Sequence, residues 1–420
     1  MVKEINLNHI CKIEGHAHLS LKIEGNKIKT CELKAAEGAR FFEALVLGRN
    51  VEDIQEIVSR ICGICSSAHT IACIQALENA LGIKPAEQQK IIRELLMIGE
   101  RIRSHVTHLY FFSLPDYFGF SSALEMSKKH REKIDNALSL ISLGNKIVEI
   151  FGGREIHPFL CMNKSLPQDL NFKELIEKLE ESKELIDETI NLFSNLDYHG
   201  FERESFYLSL KDSEYATISG KIGSADKLVE VDDYKKYLQE NIKEYATSKF
   251  VLQNSKPFMV GAISRINNNL ESLDEHSKHF LKNRFPSKNP FHNIIAQAIE
   301  LSYFRQRALV LLKKLNSDNK EQKIKIKSGS GISAVEAPRG TLFHEYKIDN
   351  TGKISYCNII TPTAQNLAML EQDIKNFVEY LLEKNKKISK ENLVLEIEKL
   401  IRAYDPCFSC STHFLRVNWM

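Results

Sequence analysis

The sequence predicts an α+β fold that is predominantly helical: a long-helix core with a small N-terminal β-hairpin and short peripheral strands. Three observations predict it. Strict apolar–polar alternation is concentrated near the start, helical apolar spacing dominates the rest, and two later runs of strand character flank the segment E-A-P-R-G at Glu336–Gly340. The alternation runs from His16 to Leu33 and is interrupted by Gly25-Asn26, which predicts a half-buried hairpin over about 16–33. Ile91, Ile92, Leu95, Leu96, Ile98, Ile102 and Val106 then form one apolar stripe soon after Pro85, predicting a long helix. A second helix is expected from Ser122 to Phe151, stopped by Gly152-Gly153. A third, Phe172 to Leu196, carries alternating charge on its outer face. Residues 200–260 carry mixed signals. Helix resumes over Pro290–Leu315, Ala364–Lys384 and Lys390–Ala403, and the two later strands are expected at Lys323–Lys327 and Lys353–Ile359.

With 420 residues, 43% hydrophobic and 27% charged, the chain can bury a large core and stay in solution. Lys and Arg number 57 against 55 Asp and Glu, a net charge of +2, so nothing favours nucleic acid or an anionic membrane as partner. The N-terminus lacks the apolar core and cleavage site of a signal peptide, and no apolar run approaches the ~20 residues needed to span a bilayer. A cytoplasmic protein without a membrane span is expected.

The nine cysteines are odd in number and thinly spread, a pattern that favours metal ligands and buried thiols over disulfides. Four stand out as two C-x-x-C pairs, Cys62/Cys65 and Cys407/Cys410, near opposite ends of the chain. That spacing lets two thiolates converge on one metal, but soft thiolates accept zinc, copper(I), iron–sulfur and nickel alike. A zinc tetrathiolate is the commoner use of such pairs. Zinc modules, however, place the pairs close together to staple a small fold, and this chain is long enough not to need one. If both pairs bind one site, the two ends must meet in one core. Because no repeat, linker or composition break intervenes, residues 1–420 are expected to form a single domain.

The flanks of the pairs are distinctive: R-I-C-G-I-C-S-S-A-H over Arg60–His69 and D-P-C-F-S-C-S-T-H over Asp405–His413. The chain also carries K-I-E-G-H (Lys12–His16), R-F-F-E-A-L-V-L-G-R (Arg40–Arg49), S-H-V-T-H-L-Y (Ser104–Tyr110), L-P-D-Y (Leu114–Tyr117), E-A-P-R-G and T-P-T-A-Q-N-L (Thr361–Leu367). In this order the motifs resemble those of the nickel–iron hydrogenase large subunit. P-F-M-V-G-A-I-S-R (Pro257–Arg265) and N-P-F-H-N-I-I-A-Q-A (Asn289–Ala298) look most like the cytosolic, NAD(P)-linked sulfhydrogenase type.

The resemblance implies reversible splitting of dihydrogen into protons and electrons at a nickel–iron centre. It implies Cys62 and Cys407 as terminal thiolates on nickel, with Cys65 and Cys410 bridging to an iron that carries carbon monoxide and cyanide. Glu14 matches the glutamate that takes a proton from the terminal cysteine. Arg339 matches the arginine over the open metal position, with Asp405 a further carboxylate of that canopy. His69 would tune a bridging thiolate, and Pro338, Thr361 and Pro362 are implied as further cofactor-binding positions. Ser104 departs from membrane-bound members, which carry an aspartate there; this puts any Asp–Arg pair mechanism in doubt and fits the cytosolic branch. His105 and His108 are read as packing residues. Glu43, the carbonyl of Leu367 and His413 match a second site for magnesium, or iron.

In the family a maturation protease usually cuts after the residue matching His413, so residues 414–420 are expected to be removable. No remaining cysteines have cluster spacing, and Gly329-Ser330-Gly331 is too short for a nucleotide loop. The implied partners are an iron–sulfur small subunit and, beyond it, flavin-containing NAD(P)-reducing subunits. Deazaflavin-reducing, bifurcating or heterodisulfide-reductase-linked hydrogenases remain alternatives, as does a zinc-stabilised structural subunit. A cysteine-less respiratory-complex relative is disfavoured by the four cysteines.

Overall fold

The computed structural model describes residues 2–35, 38, 41–160, 162, 171–224, 227–316 and 324–412. At about 50% helix and 20% strand, it is the predominantly helical α+β architecture that the apolar spacing predicts. Strands β1 (Val2–Leu7), β2 (Ala17–Glu24) and β3 (Lys27–Ala35) form an antiparallel sheet whose β2–β3 turn falls at Gly25-Asn26. Helices α1 (Phe42–Leu45), α2 (Ile54–Ser59), α3 (Ser66–Leu81) and α4 (Glu87–Thr107) follow. One π-helical turn, His108–Ser113, joins α4 to α5 (Leu114–Tyr117).

The helix expected over 122–151 is instead two, α6 (Ala123–Ser127) and α7 (Arg131–Gly152). Ser122 caps α6 by accepting from the Glu125 amide, and the chain turns through Lys128–His130 before α7 begins. Helix α7 ends at Gly153 in the left-handed region, as its glycine pair signals. Helix α8 (Lys173–Ser194) leads into the mixed region: β4 (Phe206–Lys211), β5 (Lys221–Ser224), β6 (Lys227–Val229), α9 (Tyr234–Tyr237), β7 (Leu238–Ile242), β8 (Lys249–Gln253) and β9 (Phe258–Met259). Helices α10 (Ala262–Asn268), α11 (Glu275–His279) and α12 (His292–Lys314) come next.

The strand expected at 323–327 is absent over 324–327; Lys323 lies outside the described residues. In its place β10 (Gly329–Ala337) and β11 (Gly340–Ile348) form a hairpin whose two-residue turn is Pro338-Arg339, with β12 (Ile354–Ile360) paired outside it. Gly329 and Gly331 explain the difference. A Cβ at either would overlap the carbonyls of Ala80 and Ala76, so β10 lies directly on the backbone of α3. Helices α13 (Pro362–Lys384), α14 (Lys390–Ala403) and α15 (Phe408–Ser411) complete the chain. The larger of two hydrophobic clusters among the described residues runs from Ile5 to Cys410 and includes all four paired cysteines; the smaller gathers Leu208, Val251, Phe258 and Phe343.

Helix α12 crosses the core beside α4 and α10, and its first residue ties stability to pH. That residue, His292, is partly buried, with Nδ1 2.7 Å from Ser287 Oγ. Burial, then the Arg284 charge, push its pKa from 6.5 down to about 4. The folded state therefore prefers neutral His292 and binds fewer protons than the unfolded chain between those values. Stability is full above about pH 6.5 and declines towards pH 4, by up to about 3 kcal/mol. Unfolding midpoints of the wild type and His292→Gln, measured from pH 7.5 to 4, should differ with that slope; parallel curves would remove His292 as the cause.

Candidate metal centre

Both cysteine pairs sit at helix starts. Cys65 is the residue before the first turn of α3, and Cys407 the residue before α15. The folded core brings the two starts together. Cys62 Sγ lies 3.6 Å from Cys407 Sγ, Cys65 Sγ lies 3.3 Å from Cys410 Sγ, and Cys407 and Cys410 are 2.8 Å apart. All four sulfurs are buried and lie within 4.8 Å of one another. Among the described residues no other group of three or more His, Cys, Asp or Glu is so placed. Burial drives the Cys407 and Cys410 thiols up, whereas hydrogen bonds from Cys407, Cys410 and Cys65, with the Arg339 charge, draw Cys62 down. Such a mixed set invites a metal, which takes thiolates and releases their protons.

Glu14 reaches this quartet from the N-terminal segment. A parallel bridge pairs Glu14 with Cys407, and the Phe408 amide donates to the Glu14 carbonyl at 2.9 Å. The carboxylate then accepts from Cys407 Sγ at 2.8 Å, Ser409 N at 3.2 Å and Ser409 Oγ at 2.7 Å. The approach depends on Gly15, whose φ of +76° is a left-handed conformation and whose absent Cβ would lie 2.9 Å from Ser409 N. Gly15→Ala should lose about 1–2 kcal/mol of stability from backbone conformation alone and should separate Glu14 from Cys407. A crystal structure of the variant with the 2.8 Å contact intact would contradict this.

Arg339 reaches the quartet from the β10–β11 turn, where Pro338 precedes it. Its Nε donates to the Asp405 carbonyl at 2.8 Å and Nη2 pairs with Asp405 Oδ1 at 3.0 Å. Asp405 presents both groups because its backbone is left-handed (φ +48°), which aspartate tolerates better than most residues. Burial opposes the charge of Arg339, but Asp405 and the cysteines hold its pKa well above the ordinary value. Its Nη1 is buried with no protein hydrogen-bond partner among the described residues. Thr361, the residue before α13, is similar: an N-cap hydroxyl normally accepts from its own helix, yet Thr361 Oγ1 is buried and unpartnered. Pro362 starts the helix, and Thr363 Oγ1 accepts from the Cys407 amide at 2.9 Å.

His69 lies on α3 with Nδ1 3.1 Å from His344 Nε2, and His344 Nδ1 is 2.7 Å from Tyr346 OH. Glu43 accepts from the Ile359 amide and from Lys249, both at 2.7 Å, and Lys249 also pairs with Glu240 and Asn358. Leu367 is buried within α13; His413 lies outside the described residues. Sequence reasoning missed Ser409, Thr363, His344 and Glu100. Glu100 accepts from the Ser67 and Ala68 amides and so caps α3 beside Cys65. Ser409 had a signal in standing inside the second C-x-x-C and Thr363 in standing inside T-P-T-A-Q-N-L, whereas His344 and Glu100 had none. His105 and His108, read as packing residues, are polar members of the buried network: His105 Nε2 contacts Glu300 at 2.7 Å, and His108 contacts Gln297 and the Arg402 carbonyl.

The geometry fits a soft metal centre without choosing the metal. The choice comes from comparison: the nickel-dependent hydrogenase family matches residues 40–149 and 293–413, which contain both cysteine pairs and Arg339. The chain belongs to the nickel-dependent hydrogenase family. Sulfhydrogenase 1 subunit alpha of Pyrococcus furiosus is 36% identical over 426 residues, covering 98% of this chain and 98% of its own length. Sulfhydrogenase 2 subunit alpha of the same organism is 35% identical over 428 residues, covering 98% and 100%. Among solved structures, an NAD+-reducing NiFe-hydrogenase in the dihydrogen-reduced state shares the fold with a TM-score of 0.87 at 22% identity, covering 98% of this chain and 99% of that one. This hydrogenase is thus a large subunit and an oxidoreductase acting on dihydrogen, with the four cysteines grouped for its nickel–iron centre. None of its described helices is long and apolar enough to cross a membrane.

Proposed function

We propose that Cys62 and Cys407 are terminal thiolates on nickel and that Cys65 and Cys410 bridge to an iron carrying carbon monoxide and cyanide. The unpartnered Nη1 of Arg339 and Oγ1 of Thr361 support this reading, because buried donors are normally satisfied and small anionic ligands would satisfy them. When bound, the metal pair supplies the soft electrophile at which dihydrogen is cleaved and the electrons are held. The chain's own part is to move the proton and keep the site dry. The Cys407 sulfur passes a proton to Glu14 across 2.8 Å, while Ser409 fixes the carboxylate by two hydrogen bonds. Glu14 is only partly buried, and exposed His16 follows two residues later, so a short path leads from the buried thiol to water. Arg339 offers a permanent positive charge held rigid by Asp405. His69, Pro338 and Pro362 would be the further positions that bind the metal group.

A second ion, magnesium or iron, would be held by Glu43, the Leu367 carbonyl and His413. Here the carboxylate is committed to the Lys249 ammonium and the Ile359 amide, so Glu43 fits such an ion only if Lys249 yields to it. Electrons leave through an iron–sulfur small subunit, as expected where the chain's other cysteines lack cluster spacing in the sequence. Support comes from relatives that are themselves alpha subunits, and a flavin subunit reducing NAD(P) is the acceptor we favour because the structural neighbour is NAD+-reducing. A maturation protease acting after His413 and a cytoplasmic location complete the reading. The complex purified with its partner subunits should reduce a viologen dye with dihydrogen and contain one nickel per chain, with iron in excess of nickel from the iron–sulfur clusters of the small subunit, and should show infrared bands of metal-bound carbon monoxide and cyanide. A metal-loaded complex without those bands would overturn the assignment.

A further inference from the structure

Two sequence segments, Pro257–Arg265 and Asn289–Ala298, carry none of the paired cysteines and none of the residues proposed to hold the metals, yet both end up beneath Arg339. The β10–β11 turn rests on the first. Gly340, with φ +132°, would bring a Cβ to 2.6 Å from Val260 Cβ and 2.9 Å from Gly261 N, so the turn lies directly on that backbone. From the same segment Arg265 donates to the carbonyls of Ala337 and Pro338, both at 3.0 Å. Its remaining three N–H groups go to Glu300 (2.6 and 2.7 Å) and Glu336 (3.2 Å). All five guanidinium donors are thereby used, which fixes the side chain in one orientation.

The second segment lies on α12 and holds the other half of the canopy. Gln297 Nε2 donates to Asp405 Oδ2 at 3.0 Å, and its Oε1 contacts His108 Nδ1. Asn293 bonds the Ile263 amide and the Ala403 carbonyl, tying α10 to the strand of chain that leads to Asp405. Glu300, one turn past Gln297, takes His105 and Tyr215 in addition to Arg265.

We propose that Arg265 and Gln297 are positioning residues for hydrogen turnover: Arg265 sets the turn that carries Arg339, and Gln297 sets the carboxylate that orients it. Together they leave Nη1 as the one nitrogen of the Arg339 guanidinium without a hydrogen-bond partner among the described residues. This rests on the reading that Arg339 serves the metal centre. Because the two act only through Arg339, their loss should cost nothing once Arg339 has already been replaced.

The test is a double-mutant cycle on the assembled complex, with nickel content, infrared bands and dihydrogen oxidation read for Arg265→Lys, Arg339→Lys and the pair. Arg265→Lys keeps the charge but not the fork. It should retain nickel, shift the carbon monoxide and cyanide bands, and lower kcat by about 10–100-fold, the usual effect of removing an outer-shell partner. Added to Arg339→Lys, it should lower kcat by less than about twofold further. Multiplicative losses would overturn the inference and leave the role of Arg339 standing; wild-type turnover in Arg339→Lys would overturn that role itself. Should Arg265→Lys not load nickel, the same cycle on Gln297→Met decides, since that variant leaves the Arg265–Glu300 pair whole.

Discussion

Cys407→Ser should contain no nickel above background and should show no dihydrogen turnover, while remaining folded and bound to its partners. Serine is nearly isosteric, so packing against Cys62 and Cys410 survives, but a hard oxygen replaces a soft, polarizable sulfur in a set of four. The backbone that presents residue 407 does not depend on the thiol. It is held by Thr363 Oγ1 on the Cys407 amide and by the Glu14 carbonyl on the Phe408 amide. Nor does the fold depend on the metal as a zinc staple would require, since the hydrophobic cluster extends far beyond the quartet. Compared metal-free, wild type and variant should melt within about 2–4 °C of each other, the equivalent of about 1 kcal/mol. A nickel-replete, active serine variant, or one that fails to fold, would contradict the account.

Glu14→Gln should keep both metals and slow hydrogen–deuterium exchange by about 10²–10⁴-fold, the typical contribution of a positioned acid–base group. Glutamine has the length and shape of glutamate and can retain the Ser409 contacts, but its amide cannot take up and release a proton near neutral pH. Exchange isolates proton movement from electron transfer, so it reads the Cys407–Glu14 step without the iron–sulfur partners. Unaltered exchange in a metal-replete variant would remove Glu14 from the path. Glu14→Asp should fall in between, because one methylene less withdraws the carboxylate from the thiol.

How much of the fold was readable from residues depends on whether packing or pattern determined the element. The β2–β3 hairpin and helices α8 and α14 announce themselves because each has one face in the core and one outside, as does the second half of α13. Helices α4 and α12 are buried along most of their length and are read from the length and spacing of their apolar runs. Helix α3 does not: from Ser66 to Leu81 nearly every residue is buried, so there is no polar face to mark its period. Strand β10, G-S-G-I-S-A-V-E-A, carries only Ile332 and Val335 of the bulky residues that signal a strand, and its glycines permit contact with the α3 backbone. The cysteine pairs were legible from spacing and flanks, and the motifs around Glu14 and Arg339 pointed to them by resemblance. The roles of Ser409, Thr363 and Gln297 were not, although each stands inside one of the motifs that carry the resemblance, because a hydroxyl or amide becomes part of a site only through what the fold sets opposite it.

The central claim is that thiolates from both ends of the chain surround one nickel–iron pair. X-ray absorption at the nickel edge of the purified complex tests it most directly. The account predicts one nickel per chain with four sulfur neighbours and an iron scatterer just beyond them, and loss of one sulfur or of the nickel itself in each cysteine variant. Nickel bound mainly by nitrogen and oxygen, or zinc alone within the four sulfurs, would contradict it.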